Sequence, residues 1–188
     1  MRKIVSLFER NYDGDRQVRD ELVQGAEWVA NGEGVATRKY DGTCCMIRDK
    51  KLFKRYEVKR GKTAPDNFEP ANDVDANTGK QQGWVPVGDG NEDKWHREAF
   101  EGLATKADGT YELMGPKIQG NLEGYEVHVL LPHANASVLE DCPRAFAELR
   151  TYLAENAIEG VVWHHKDGRM VKIKGIDFGI KRTPYEAA

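Results

Sequence analysis

Apolar positions recur along this chain in two rhythms. Between Asp15 and Asn31, Val18, Leu22, Val23, Ala26 and Val29 fall near helical spacing, interrupted by Gly25, which predicts an amphipathic helix after a first strand-like stretch. From Gly34 to Lys59 the text changes to short runs divided by Asp41-Gly42 and Asp49-Lys50, as consecutive antiparallel strands require. Gly61 to Asp93 is poor in aliphatics and rich in Pro, Gly, Asn and Asp; it reads as an irregular segment, with Trp84-Val85-Pro86-Val87 available to dock part of it. Strands resume at Thr110 to Met114 and Tyr125 to Leu131. A helix follows, with Pro143 near its first turn and Phe146, Leu149 and Leu153 on one face. No internal repeat or dividing linker interrupts the pattern, so the expectation is one domain over 1–188, of α+β class and dominated by antiparallel sheet.

The last two strands flank Asp167-Gly168. Asp-Gly between two β-branched runs predicts a two-residue type I′ hairpin, in which Lys166 pairs with Arg169. Counting back places Trp163 opposite Lys172 and Val161 opposite Lys174, and the period of two adds Glu159 to that face. Val162, Val171 and Ile173 form the opposite, apolar face. Lysines at alternate positions stand ~7 Å apart, a spacing that suits a phosphate chain between them. Taken alone, such a face usually just meets water.

Composition narrows the setting. Charged residues make up 31% of the 188 positions and nearly cancel, leaving net charge −3, so any phosphate binding must be local. No apolar run reaches the ~20 residues of a membrane span, and the first residues meet a charge too early for a signal peptide. The expectation is a soluble cytoplasmic protein with no membrane association and no obligate protein partner. Its three cysteines, Cys44, Cys45 and Cys142, lack the paired spacing of a zinc site and an even disulfide count.

Lys39-Tyr40-Asp41-Gly42 places a lysine beside a carboxylate and a glycine turn, a setting for an amine nucleophile. Three further runs follow in order: Tyr111-Glu112-Leu113-Met114-Gly115, Glu159-Gly160-Val161-Val162-Trp163 and Val171-Lys172-Ile173-Lys174-Gly175. The series resembles motifs I, III, IV and V of the covalent nucleotidyltransferase superfamily, which includes ATP-dependent DNA and RNA ligases and mRNA capping enzymes. Lys39-Tyr40-Asp41-Gly42-Thr43-Cys44-Cys45, Leu131-Pro132-His133 and Glu159 to His164 narrow it, being similar to a small RNA ligase family with an animal member.

That resemblance implies a nucleotidyltransferase (adenylation) domain of two antiparallel sheets with flanking helices and a nucleotide held between them. It implies Lys39 as the residue adenylated by ATP. Glu112 would lie near ribose and metal, and Glu159 would help place Mg²⁺ or Mn²⁺. Lys172 and Lys174 would contact the α phosphate, with Arg55 as the basic residue following motif I. An unperturbed lysine, with pKa ~10.4, is only about one part in a thousand neutral near physiological pH. Like charge from Lys172 and Lys174, a metal ion and partial burial would each make Lys39 less basic.

The function implied is ligation of 5′-phosphate and 3′-hydroxyl RNA ends through a lysyl-AMP intermediate, in RNA repair. Cys44 stands where many DNA ligases carry Arg, and few residues follow Lys174, so no C-terminal oligonucleotide-binding barrel is expected. A DNA or nick ligase and a catalytically silent RNA-end-binding module are the alternatives. His128, His133, His164 and His165 read as hydrogen-bonding residues, and Trp163 as core. Lys50, Lys51, Lys54, Lys59, Arg60 and Lys62, interleaved with Phe53 and Tyr56, suit either an RNA track or a solvated sheet edge.

Overall fold

The computed structural model describes residues 4–76 and 78–182. In chain order the strands are β1 (Val5–Ser6), β2 (Phe8–Arg10), β3 (Val18–Leu22), β4 (Val35–Lys39), β5 (Thr43–Arg48), β6 (Lys51–Val58), β7 (Glu69–Pro70), β8 (Gln81–Pro86), β9 (Gly109–Met114), β10 (Val129–Pro132), β11 (Gly160–His164) and β12 (Met170–Lys174). The α-helices are α1 (Glu27–Ala30), α2 (Lys94–Glu101) and α3 (Phe146–Glu155). The α+β class expected from the sequence holds. The chain divides into two compact units, one of residues 41–135 and one of 4–40 with 136–182.

The discontinuous unit carries a four-stranded sheet in the order β1-β12-β11-β4 and a ribbon of β2 with β3. β11 pairs antiparallel with both neighbours, while β1 joins β12 in parallel. Ala36, Val161, Trp163, Val171 and Ile173 share the buried face, packed with Leu7, Phe8, Trp28, Leu149, Leu153 and Phe178. α3 contributes Leu149 and Leu153 one helical turn apart, with Phe146 packed against the same cluster, as its apolar spacing predicts. Pro143 lies ahead of the helix rather than in its first turn.

Two readings of this unit are corrected. The helix expected over 15–31 is instead β3 followed by the short α1. Val18 and Leu22 are four apart, a separation that fits the strand period as well as the helical one, and their partners are Arg10 and Leu22's opposite number Phe8. Gly25, at φ +87°, then turns the chain. The final hairpin is also displaced by one residue. His165 donates its backbone N–H to Arg169, closing a three-residue loop in which Gly168 alone has positive φ, at +89°. Asp167 does not adopt the left-handed conformation that a type I′ turn demands. Trp163 therefore faces Val171, Val162 faces Lys172, Val161 faces Ile173 and Gly160 faces Lys174. The slip moves Val161 into the core and Val162 beneath the lysines.

The continuous unit is a six-stranded antiparallel sheet in the order β10-β9-β5-β6-β8-β7. β5 and β6 are consecutive antiparallel strands divided at Asp49-Lys50, as expected, and they turn through these two residues, both at positive φ, in a tight two-residue hairpin. Cys45, Ile47, Leu52, Ala99, Tyr111, Leu113, Ile118 and Leu130 form its core. α2, which the apolar pattern did not signal, supplies Ala99, with Trp95 and Phe100 against the same core. Trp84 and Val85 are buried on β8, so the segment read as irregular ends in a paired strand. β6 lies between β5 and β8 rather than at an edge, and Lys54 is spent on buried Asp93 at 2.5 Å. Of the basic run only Lys51 and Lys54 lie on this internal strand, on opposite faces, while Lys50 precedes it and Lys59, Arg60 and Lys62 follow it as exposed residues.

Trp163 is fully buried in the core of the discontinuous unit. Trp163→Ala is expected to lower stability by about 3–5 kcal/mol, read as an earlier urea midpoint at unchanged slope.

Candidate functional site

Three strand ends meet in one row of the four-stranded sheet. Lys39 closes β4, Gly160 opens β11 and Lys174 closes β12; Gly160 is the ladder partner of both lysines. Two residues inward, Val162 lies between Thr37 and Lys172 in the same way. Alternation thus brings Lys39, Lys172 and Lys174 to one face, opposite the buried tryptophan and valines. Gly160 has no Cβ because one there would strike the Ile173 carbonyl and the Lys174 backbone. The glycine is what lets the β11 and β12 backbones close up beside the lysines.

Glu159 joins them by a different route from the one the sequence suggested. In the observed register strict alternation would turn it toward the core with Val161, but it precedes β11 and escapes the pleat. Its carbonyl accepts the Gly175 N–H at 3.0 Å. Its carboxylate meets Lys39 Nζ at 2.5 Å through Oε2 and Lys174 Nζ at 3.8 Å through Oε1. Lys174 is itself held at the start of a 3-10 turn, where its backbone N–H donates to Asp177 at 2.9 Å; Arg10 binds the other oxygen of that buried carboxylate.

Three ammonium groups around one carboxylate make a locally positive patch in a chain of net charge −3. The strain shows at Lys172. Burial first, then the Lys39 and Lys174 charges, lower its pKa from 10.5 to about 8, against the opposing pull of Glu159 and Asp177. The like-charge effect expected at Lys39 is thus seen, after that of burial, at its neighbour Lys172. As a hard oxygen donor, Glu159 fits a Mg²⁺ ion, which ordinarily takes one or two carboxylates and completes its shell with water and phosphate oxygens.

Glu112 and Arg55 belong to the other unit. Glu112 is buried on β9 opposite Cys44 of β5. Gly42 packs so closely on it that an added Cβ would meet the Leu113 carbonyl and, at 2.8 Å, Glu112 Cγ. The glycine of the first motif is therefore shaped by the strand of the second. The Asp41 N–H donates to buried Glu123 at 2.8 Å. Arg55 stacks over Trp84, 4.9 Å from its ring centre, and donates through Nε to Gln82; burial lowers its pKa.

Each of His128, His133, His164 and His165 has a hydrogen-bonding partner, as expected. His128 contacts Glu98, His164 contacts Thr37, and His165 lies between Glu33 and Asp167. His133 was passed over as a site residue. Its Nε2 meets Glu112 Oε2 and its Nδ1 meets Thr110 Oγ1, both at 2.9 Å. Only the strand register reveals this grouping, since Cys44, Glu112 and His133 are far apart in sequence.

Residues 99–187 match the family model described as RNA ligase 1. Relatives named RNA ligase 1 from Danio rerio, Rattus norvegicus and Mus musculus are each 25% identical over 219 residues, covering 78% of this chain and 67% of the relative. Over these stretches the chain is similar to proteins named RNA ligase 1. The stretch matched to the RNA ligase 1 model contains Glu112, Glu159, Lys172 and Lys174, whereas Lys39 precedes it.

Lys172 supplies a test of the electrostatics. Its depressed pKa means that the unfolded chain binds more protons between about pH 8 and 10.5, so the penalty is complete below pH 8 and is relieved as pH rises through that window. Lys172→Met should melt above the wild type at pH 7, and the difference should narrow toward pH 10. A constant difference across that range would contradict a buried, repelled ammonium.

Proposed function

We propose that this chain is an ATP-dependent RNA ligase of the covalent nucleotidyltransferase superfamily, with 1–188 acting as its adenylation domain. The observation that carries the reading is the convergence of Lys39, Glu159, Lys172 and Lys174 at one end of one sheet. Their order in the chain is that of the ligase motifs, and the similarity to proteins named RNA ligase 1 supports RNA as the substrate.

Lys39 is the nucleophile. In its neutral form the Nζ lone pair attacks the α phosphorus of ATP, the bond to the bridging oxygen breaks and pyrophosphate leaves. Nζ gives up one proton, and a phosphoramidate to AMP remains. Next, an oxygen of the RNA 5′-phosphate attacks that phosphorus and the Lys39 amine departs, taking back a proton. Finally a 3′-hydroxyl attacks the 5′-phosphate, AMP leaves and the phosphodiester is closed. Lys172 and Lys174 neutralise the α-phosphate oxygens as charge moves between them. Glu159 would hold a Mg²⁺ or Mn²⁺ ion, which would supply positive charge to shield the phosphate chain.

Glu159 has two tasks in this scheme. Before nucleotide arrives it holds the Lys39 ammonium. Once phosphate and metal occupy the patch, its charge is shared with them, and the hold on the Lys39 proton weakens. A DNA or nick ligase would use the same amine, and competition between RNA and DNA ends separates the two. A silent binding module has no use for an attacking amine.

Incubation of the purified chain with α-labelled ATP and Mg²⁺ should leave acid-stable label on the protein, absent from Lys39→Ala and reduced at least about 100-fold in Glu159→Ala, Lys172→Met and Lys174→Met. Folded wild-type protein, free of prior AMP, that takes no label from ATP would defeat the ligase reading.

A further inference from the structure

Cys44, Glu112 and His133 each offer one donor atom, and the three donors lie within 4.8 Å of one another. The sheet dictates this. β9 runs between β5 and β10, so Glu112 is flanked by Cys44 on one side and Leu131 on the other. His133 lies two residues beyond Leu131 and keeps its side of the pleat, which brings it beside Thr110, the residue two before Glu112. All of these residues belong to the continuous unit.

We propose that Cys44, Glu112 and His133 form a binding site for a zinc-class divalent ion. A thiolate, an imidazole and a carboxylate are a borderline-soft donor set, which selects Zn²⁺ over the hard Mg²⁺ served by oxygen alone. Donors at ~2.0–2.3 Å from one ion in tetrahedral geometry stand roughly 3.3–3.8 Å apart, so small side-chain torsions close the observed spacing. Water takes the fourth position.

The partners of His133 suit the exchange. Its two ring nitrogens face Glu112 and Thr110, and the Thr110 hydroxyl can donate or accept. With no metal, Nε2–H donates to Glu112 and Nδ1 accepts from Thr110. With metal on Nε2, the imidazole proton resides on Nδ1 and is donated to Thr110 Oγ1, the orientation that metal-bound histidines ordinarily need. The neutral imidazole thus changes tautomer without losing a proton. The Cys44 thiol loses one, so each ion bound releases one proton to solvent. On the ligase reading, an ion here engages the carboxylate assigned to ribose and Mg²⁺, making the site inhibitory; binding itself does not depend on that reading.

The test uses reduced, metal-free full chain titrated with Co²⁺ in the absence of nucleotide. One equivalent should produce a thiolate-to-cobalt charge-transfer absorption with release of about one proton, and Zn²⁺ should then remove the band with no further proton release. The band should vanish in Cys44→Ser, fall in His133→Ala and persist in Cys142→Ser and Lys39→Ala. Thr110→Val, which removes only the partner of Nδ1, should weaken Zn²⁺ binding by about 10–100-fold. Circular dichroism confirms that each variant is folded, and His133→Ala with Glu112→Gln decides the matter if Cys44→Ser is not. No charge-transfer band in the wild type, or one that survives Cys44→Ser, or one that His133→Ala and Glu112→Gln leave intact, overturns the site. Because Lys39→Ala retains the metal site and lacks the adenylated amine, failure of the ligase reading and failure of this one are told apart.

Discussion

Everything in the candidate site hangs on the register of β11 between β4 and β12. Gly160 stands between Lys39 and Lys174, and Val162 between Thr37 and Lys172, because Val161 and Trp163 are committed to the core on the opposite face. A slip of one residue would expose both and bury the lysines, so apolar burial fixes the spacing of the charges. The like-charge repulsion at Lys172 is opposed by the pull of Glu159 and Asp177 and by the burial of the tryptophan and valines behind it.

The continuous unit uses close backbone approach to a similar end. Gly42 lets β5 begin hard against β9, so the first residues after the Lys39 motif are threaded beside Glu112. Thr43 is opposite Leu113 and Cys44 opposite Glu112. A side chain at position 42 would push Glu112 and the Leu113 carbonyl aside. Two glycines, Gly42 and Gly160, thus do comparable work in the two units, each permitting a strand to approach where a functional carboxylate or amine stands.

The strands and the grouping of Lys39, Glu159, Lys172 and Lys174 were legible in the sequence, because period-two patterning and the order of four short motifs are local signals. The hairpin register was not. Asp167-Gly168 fits a two-residue turn and a three-residue loop equally well as text, and only the backbone conformation of Asp167 decides between them. Glu159 was assigned to the right cluster by a count that the true register contradicts; it reaches Lys39 because it lies just outside the strand. β3 was read as helix since residues four apart satisfy both periods, and α2 went unsignalled. His133 could not have been joined to Cys44 and Glu112 without knowing which strands are neighbours.

The contact of Lys39 with Glu159 carries the deepest consequence for chemistry. A carboxylate 2.5 Å from an ammonium stabilises the proton that a nucleophilic amine must lose, so the arrangement without ligand favours rest over attack. Lys174 shares the same carboxylate at 3.8 Å, and Lys172 adds positive charge nearby. On the proposed ligase reading, an incoming phosphate would draw the Lys172 and Lys174 charges and a metal ion brought with it would draw Glu159, and both changes would loosen the Lys39 proton. The resting ion pair is therefore consistent with a reactive amine, provided the nucleotide itself releases the amine from its partner.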